Sequence, residues 1–145
     1  MILPDEAATE ALGRRLASLL RAGDVVALSG PLGVGKTALS RAILHSAGHA
    51  GEVPSPTFAI VQPYDDLPVP IWHCDLYRLE DPSELTELGL DGALDHGALL
   101  VEWPENGGAA AWPQALRLWL EFAPDEQRRL TWQVPAAWEA RWPPA

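Results

Sequence analysis

Gly30-Pro31-Leu32-Gly33-Val34-Gly35-Lys36-Thr37 is the stretch on which the fold turns. It fits G-x-x-x-x-G-K-[ST], which residue frequencies like these produce by accident in roughly one chain in two thousand. Upstream, residues 24–29 (Asp-Val-Val-Ala-Leu-Ser) make a short apolar run of buried-strand length. Downstream, residues 38–45 hold no Gly or Pro and keep Leu39, Ile43 and Leu44 on helical spacing. Strand, glycine-rich loop and helix are the context the pattern needs, and they predict a nucleoside triphosphate site. Gly30, Gly33 and Gly35 let the backbone turn and approach a phosphate closely. Successive amides through Val34, Gly35, Lys36, Thr37 and Ala38 then form an anion nest at a helix N-terminus. Lys36 supplies a point charge to the β- and γ-phosphates and takes up charge during transfer, and the Thr37 hydroxyl is placed to ligate Mg²⁺.

Composition sharpens the role of Lys36. Nine of the ten basic residues are Arg, and Lys36 is the only Lys. An ammonium and a guanidinium are not interchangeable at a tight phosphate site. The 145 residues predict one domain, 1–145, without staples. A formal net charge of −10 argues against a general nucleic-acid coat. Arg117, Arg128, Arg129 and Arg141 could still form a local patch, although ion pairs and solubility are the commoner use of such residues. A single cysteine, Cys74, excludes an internal disulfide framework and a Cys-rich zinc site, and reads as a packed thiol. No apolar run approaches the ~18 residues of a membrane span, and the first ten residues lack the pattern of a signal peptide. The expected location is cytoplasmic.

A phosphate loop of this kind needs an acid at the end of a neighbouring buried strand. Glu102, after Ala98-Leu99-Leu100-Val101, is the candidate second metal ligand. Asp75, late in Ile71-Trp72-His73-Cys74-Asp75, could polarise the attacking water or hold a metal-bound one, unless it pairs with Arg78. Thr57 lies where switch loops order on a γ-phosphate, so it joins Asp75 and Lys36 as a catalytic candidate. His45 and His49, four apart, read as helix C-terminal dipole partners rather than metal ligands. An Asn-Lys-x-Asp guanine-reading loop cannot exist without a second Lys, so ATP is the expected nucleotide. A small-molecule kinase would also start from this loop, but it usually carries an Arg-bearing lid that is not evident here.

The rest of the chain predicts an α/β fold. Residues 5–21 read as an amphipathic helix stopped by Gly23. Residues 57–62 and 70–77 read as strands joined by a hairpin or loop. Asp81 or Ser83 caps a short helix that ends at Gly89. Residues 98–101 form a buried strand, and 106–111 a loop. Residues 116–122 and 129–134 make a C-terminal antiparallel hairpin. Most of the seven Trp suit core packing, with a partner surface around the C-terminal ones as the sharper alternative.

Taken together, GPLGVGKT, VPSPTFAIVQPY (53–64), HCDLYRLEDPSELTELGL (73–90) and LLVEWPE (99–105) closely resemble the bacterial TsaE ATPases of tRNA threonylcarbamoyladenosine synthesis. The resemblance runs from about residue 5 to 134. It implies a P-loop NTPase-like three-layer core with a mixed, partly parallel sheet. It also implies ATP and Mg²⁺ as cofactors and a TsaB/TsaD-type protein complex as partner, with tRNA met through that complex. The modified base would be the adenosine beside the anticodon. The resemblance puts Lys36 and Thr37 on phosphate and Mg²⁺, Glu102 on the metal with Trp103 beside it, and Asp75 on hydrolysis. It puts Thr57 in the S-P-T-F switch, and Thr9 near the base. Pro31 and Ala38 depart from the family's usual Asp and Thr. The Ala38 change would lose one hydroxyl contact to the α-phosphate.

Overall fold

The computed structural model describes residues 1–54, 61–90, 92–108 and 111–143. Its elements, in chain order, are β1 (Ile2–Leu3), α1 (Glu6–Leu19), β2 (Val25–Ser29), α2 (Lys36–Ala47), β3 (Val61–Tyr64) and β4 (Ile71–Asp75). A 3₁₀ turn (Pro82–Leu88) leads to α3 (Ala93–His96) and β5 (Ala98–Glu102). A second 3₁₀ turn (Pro104–Gly107) precedes β6 (Leu116–Phe122) and β7 (Arg128–Gln133), and a third (Ala136–Trp138) follows them.

The described strands form one seven-stranded sheet, ordered β1-β7-β6-β2-β5-β4-β3. Its centre is parallel: β2 lies between β6 and β5, and β4 follows β5. Both margins are antiparallel, with β7 and β1 beyond β6 and with β3 beyond β4. This is the P-loop NTPase-like, mixed and partly parallel sheet expected, carrying the added C-terminal antiparallel hairpin β6–β7.

Two-residue alternation sends the side chains of each central strand to two cores. Val26, Leu28, Leu100, Leu116 and Leu118 face α1 and α2. Val25, Ala27, Leu99, Val101 and Cys74 face the opposite side, with Leu76, Ala93 and Trp112. Helices and turns on both faces of the sheet give three layers. Trp138 and Trp142 lie buried in the α1/α2 core, which supports packing over the partner-surface reading for the C-terminal Trp.

Local chemistry explains the elements. Asp5 caps α1 by accepting the Ala8 N–H at 2.9 Å. Gly13 sits inside α1, where Gly weakens a helix by ~1 kcal/mol relative to Ala. Its reason is the crossing with α2, where a Cβ on Gly13 would stand 2.4 Å from the Ala42 Cβ.

Some boundaries differ from the sequence reading. The strand expected at 57–62 is described only as Val61–Tyr64, its earlier part lying outside the described residues. It includes Pro63, which an edge strand tolerates because one side needs no N–H donors. The helix capped by Asp81 is 3₁₀ rather than α, and Gly89 closes it at φ 69°. The first helix ends at Leu19, two residues before 21, and β7 starts and stops one residue earlier than expected.

Candidate nucleotide site

The loop after β2 opens at the carboxyl end of the parallel strands, where α/β sheets bind ligands. Gly30 has φ 150°, and a Cβ there would stand 2.5 Å from the Leu120 carbonyl oxygen on β6. Only Gly allows the loop to pass so close to the sheet. Gly35, at φ 116°, precedes α2, and no side chain among the described residues caps that helix. Its first amides are therefore unclaimed by side chains, as an anion-binding helix N-terminus requires.

Lys36 is 5% exposed. Its Nζ donates to the Gly30 carbonyl and, at 3.1 Å, to the Pro31 carbonyl. It also stands 3.9 Å from the centroid of the Trp103 ring. Burial pulls the ammonium below its usual range, while Glu102, Glu105 and Asp75 pull the other way. A polyphosphate would offer this side chain stronger acceptors than two neutral carbonyls. Trp103 takes a left-handed conformation at φ 56°, rare for a non-glycine residue. Its ring lies between Lys36 and Tyr77, with the Tyr77 ring centroid 5.0 Å away.

Glu102 closes β5 and is 1% exposed. Thr37 Oγ1 donates to its Oε1 at 2.9 Å, and the Ser40 hydroxyl shares its proton between Oε2, at 3.2 Å, and the Lys36 carbonyl one turn back, at 3.0 Å. His73 Nε2 lies 2.6 Å from the same Oε2. Burial pushes this carboxyl up, but the bonds and charge from His73, with the hydroxyls of Thr37 and Ser40, outweigh it and hold it below the ordinary value. An ionised carboxylate bonded to a hydroxyl is a hard oxygen pair, the donor chemistry that suits Mg²⁺. Among the described residues no group of three or more His, Cys, Asp or Glu could hold a metal alone. A cation here would therefore share its shell with nucleotide oxygens and water, as Mg²⁺ commonly does.

Asp75 ends β4 directly opposite Glu102 in the β4–β5 register. It is half-buried and accepts the Tyr77 N–H at 2.9 Å. Burial raises its pKa. The Tyr77 bond opposes that rise, Glu102 adds to it, and His73 and Lys36 also oppose it. The ion pairs among the described residues are His49–Asp66, His73–Glu102 and Arg141–Asp24, so Arg78 does not claim Asp75.

Thr9 and Ala38, far apart in sequence, line one cleft of about 420 Å³ between α1 and α2, with Glu6, Glu10 and Arg41. Thr57 lies outside the described residues. The structure thus brings Lys36, Thr37, Glu102 and Asp75 to one strand-end cluster, and sets Thr9 in a separate cleft with Ala38, the residue after Thr37. His45 stands in the last turn of α2, as expected. Cys74 is fully buried, and burial pushes its thiol up to about 12, as an inert packed thiol requires.

Three contacts at the site were not anticipated. His73 shares a strand face with Asp75, two residues on, and that alternation was the available signal. Ser40 sits one helical turn after Lys36, on the same face of α2. Arg128 donates from Nε to the Val34 carbonyl at 2.8 Å and stacks on Phe122, bracing the phosphate loop from the C-terminal hairpin. Arg117 donates to the Trp112 carbonyl, and Arg141 to Asp24. Three of the four arginines considered for a basic patch thus serve internal contacts.

A family model described as threonylcarbamoyl adenosine biosynthesis protein TsaE matches residues 3–130. The chain belongs to the TsaE family. A Streptomyces coelicolor protein named tRNA threonylcarbamoyladenosine biosynthesis protein TsaE is 43% identical over 127 residues, covering 83% of this chain and 86% of the relative. The protein of the same name from Rickettsia felis is 40% identical over 131 residues, covering 90% and 76% respectively. The Bacillus subtilis TsaE is 36% identical over 129 residues, covering 88% and 79%. Among solved structures, Bacillus subtilis YdiB superposes with a TM-score of 0.78 at 27% identity, covering 94% of this chain and 85% of that one. The TsaE resemblance read from the motifs and the three-layer fold therefore both stand.

Proposed function

We propose that residues 1–145 act as a single P-loop ATPase domain serving N6-threonylcarbamoyladenosine modification of tRNA at the adenosine beside the anticodon. It would work in the cytoplasm with a TsaB/TsaD-type protein complex, meeting tRNA through that complex. TsaE membership and the relatives' names support the pathway. Among the described residues no helix is long and apolar enough to cross a membrane. One observation carries the ATPase reading: the hydroxyl after the only lysine, at the start of an uncapped helix, is bonded to a buried carboxylate from a neighbouring strand.

In this reading the amides of Gly33, Gly35, Lys36, Thr37 and Ala38 cradle the phosphates; the Val34 N–H donates to the Pro31 carbonyl and would join them only by giving up that bond, and Gly30 gives the loop its close path. Lys36 moves its ammonium from the loop carbonyls to the β- and γ-phosphate oxygens. Thr37 and Glu102 would hold Mg²⁺, which when bound supplies charge neutralisation to those oxygens. Asp75 orients the attacking water. The water oxygen bonds to the γ-phosphorus as the bond to the β–γ bridging oxygen breaks, leaving ADP and inorganic phosphate. Thr57 would sense the γ-phosphate. Thr9 and Ala38 would line the nucleoside and α-phosphate side.

Of the two candidate arginines, Arg41 donates to the Val53 carbonyl, and Arg78 is exposed with no ion pair among the described residues, so neither is placed as a charge for the transition state. Hydrolysis is therefore expected to be slow for the isolated chain and to rise at least about tenfold with the partner proteins present. ATP turnover measured with and without the purified partners tests this. Maximal turnover by the isolated chain would contradict it.

A further inference from the structure

The contacts of Glu102 are uneven. Oε1 accepts one hydrogen bond, from Thr37, the residue proposed to share the cation. Oε2 accepts from His73 at 2.6 Å and shares the single Ser40 proton, at 3.2 Å, with the Lys36 carbonyl, which lies 3.0 Å from the same hydroxyl. Neither donor belongs to the phosphate loop, and both are 0% exposed. His73 stands on β4 and Ser40 on α2, so Oε2 is held from the sheet and from the helix layer together. An ionised carboxylate only accepts, so Nε2 is the protonated ring nitrogen facing it. Nδ1, on the other side of the ring, is buried without a partner. The imidazole therefore spends its one described polar contact on Glu102. A wholly apolar residue would fill the same interior without an unmatched polar atom.

We propose that His73 is a positioning residue: with Ser40 it fixes Oε2 of Glu102, leaving Oε1, the oxygen shared with Thr37, as the one offered to a divalent cation beside the nucleotide. This rests on the nucleotide and Mg²⁺ reading above. A glutamate side chain has three rotatable bonds, and the close His73 donor, with the shared Ser40 hydroxyl beside it, settles the rotamer before any ligand arrives. Removing an outer partner of a metal ligand typically weakens metal affinity about tenfold to a hundredfold. The effect should fall on the cation and spare the cation-independent grip of the loop amides on phosphate.

The test is a fluorescence titration of the full chain with N-methylanthraniloyl-ADP, first in EDTA and then over rising Mg²⁺. His73→Leu should need about ten times more Mg²⁺ for half of its affinity gain. Its affinity in EDTA should stay within about twofold of the parent chain. His73→Gln keeps an N–H donor near the Nε2 position and should return the Mg²⁺ midpoint to within about threefold. Ser40→Ala removes the other Oε2 donor and should also move the midpoint upward, which decides the matter should His73→Leu not fold. An unmoved midpoint in His73→Leu or in Ser40→Ala overturns the proposal. So does an equal loss of affinity with and without Mg²⁺ that Gln fails to repair, since that marks packing alone. If the parent chain binds the probe without response to Mg²⁺, the cation role of Glu102 falls and this inference with it. No uptake of the probe at all would instead sink the phosphate-loop reading.

Discussion

Asp75 carries a stability cost that its proposed role in orienting water would explain. Burial raises its pKa, with Glu102 opposite adding to the rise against the Tyr77 N–H. The folded chain thus holds this proton more tightly than the unfolded chain does. Folding stability contributed by Asp75 therefore rises as pH falls through its raised pKa, and at neutral pH its ionised form is a cost. Asp75→Asn removes that cost and keeps an oxygen for the Tyr77 N–H. The variant should melt at the same or a higher temperature at neutral pH, by calorimetry, while partner-stimulated hydrolysis falls about a hundredfold or more. Parent-chain hydrolysis should fade on acidification at a pH above the ordinary aspartate range, because in the proposed mechanism the ionised form orients the water. Unchanged hydrolysis in the Asn variant would remove Asp75 from the mechanism. At this scale much was legible. Lys36 and Thr37 sit in a fixed-spacing pattern, and Glu102 and Asp75 end apolar runs. His73 was not, because a lone histidine within an apolar strand gives no sign of which carboxylate it will meet.

Elements transmit support to the loop from a long way down the chain. Arg128, on β7, carries its guanidinium to the Val34 carbonyl, and Leu120, on β6, lies against Gly30. The hairpin added after the parallel strands is thus a wall of the phosphate loop. A hydrogen bond from a charged donor contributes about 1.5–3 kcal/mol, so Arg128→Ala should weaken ADP binding about tenfold. Arg128→Lys should not restore it, since the bond uses Nε of a planar fork braced on Phe122. Fluorescent ADP titration of both variants checks this, and parental affinity in Arg128→Ala would show that the loop holds its shape unaided. The hairpin strand at Leu116–Phe122 was legible to both its ends, because apolar and polar residues alternate cleanly there. β1 and α3 were not, being two and four residues long, too short to establish a period. Gly13 was equally opaque: a glycine inside a helix signals a close approach only once α2 is seen against it.

For the whole molecule, the tail is locked to the start of the first parallel strand. Arg141 makes a two-pronged contact with Asp24, at 2.6 and 2.9 Å, and both side chains are nearly buried. Breaking such a pair strands the other charge and costs about 3–5 kcal/mol. Arg141→Ala should therefore lower the melting temperature by about 6–15 °C, with nucleotide affinity little changed, because the pair lies at the opposite end of β2 from the phosphate loop. A melting temperature within a degree or two of the parent would show the pair to be incidental. The sheet order was beyond the sequence, since periodicity marks strands but not neighbours. The parallel placement of β2 between β5 and β6 emerges only from packing of the complete chain. The family motifs nonetheless anticipated the mixed sheet, and the strand-end acids anticipated where the cluster forms. The most direct measurement of the central claim is calorimetric titration of the full chain with ADP and Mg²⁺, beside the Lys36→Ala variant. Saturable uptake of one ADP per chain, weakened at least about tenfold in the variant, is the predicted result. No uptake by folded parent protein, or equal uptake by Lys36→Ala, would contradict it.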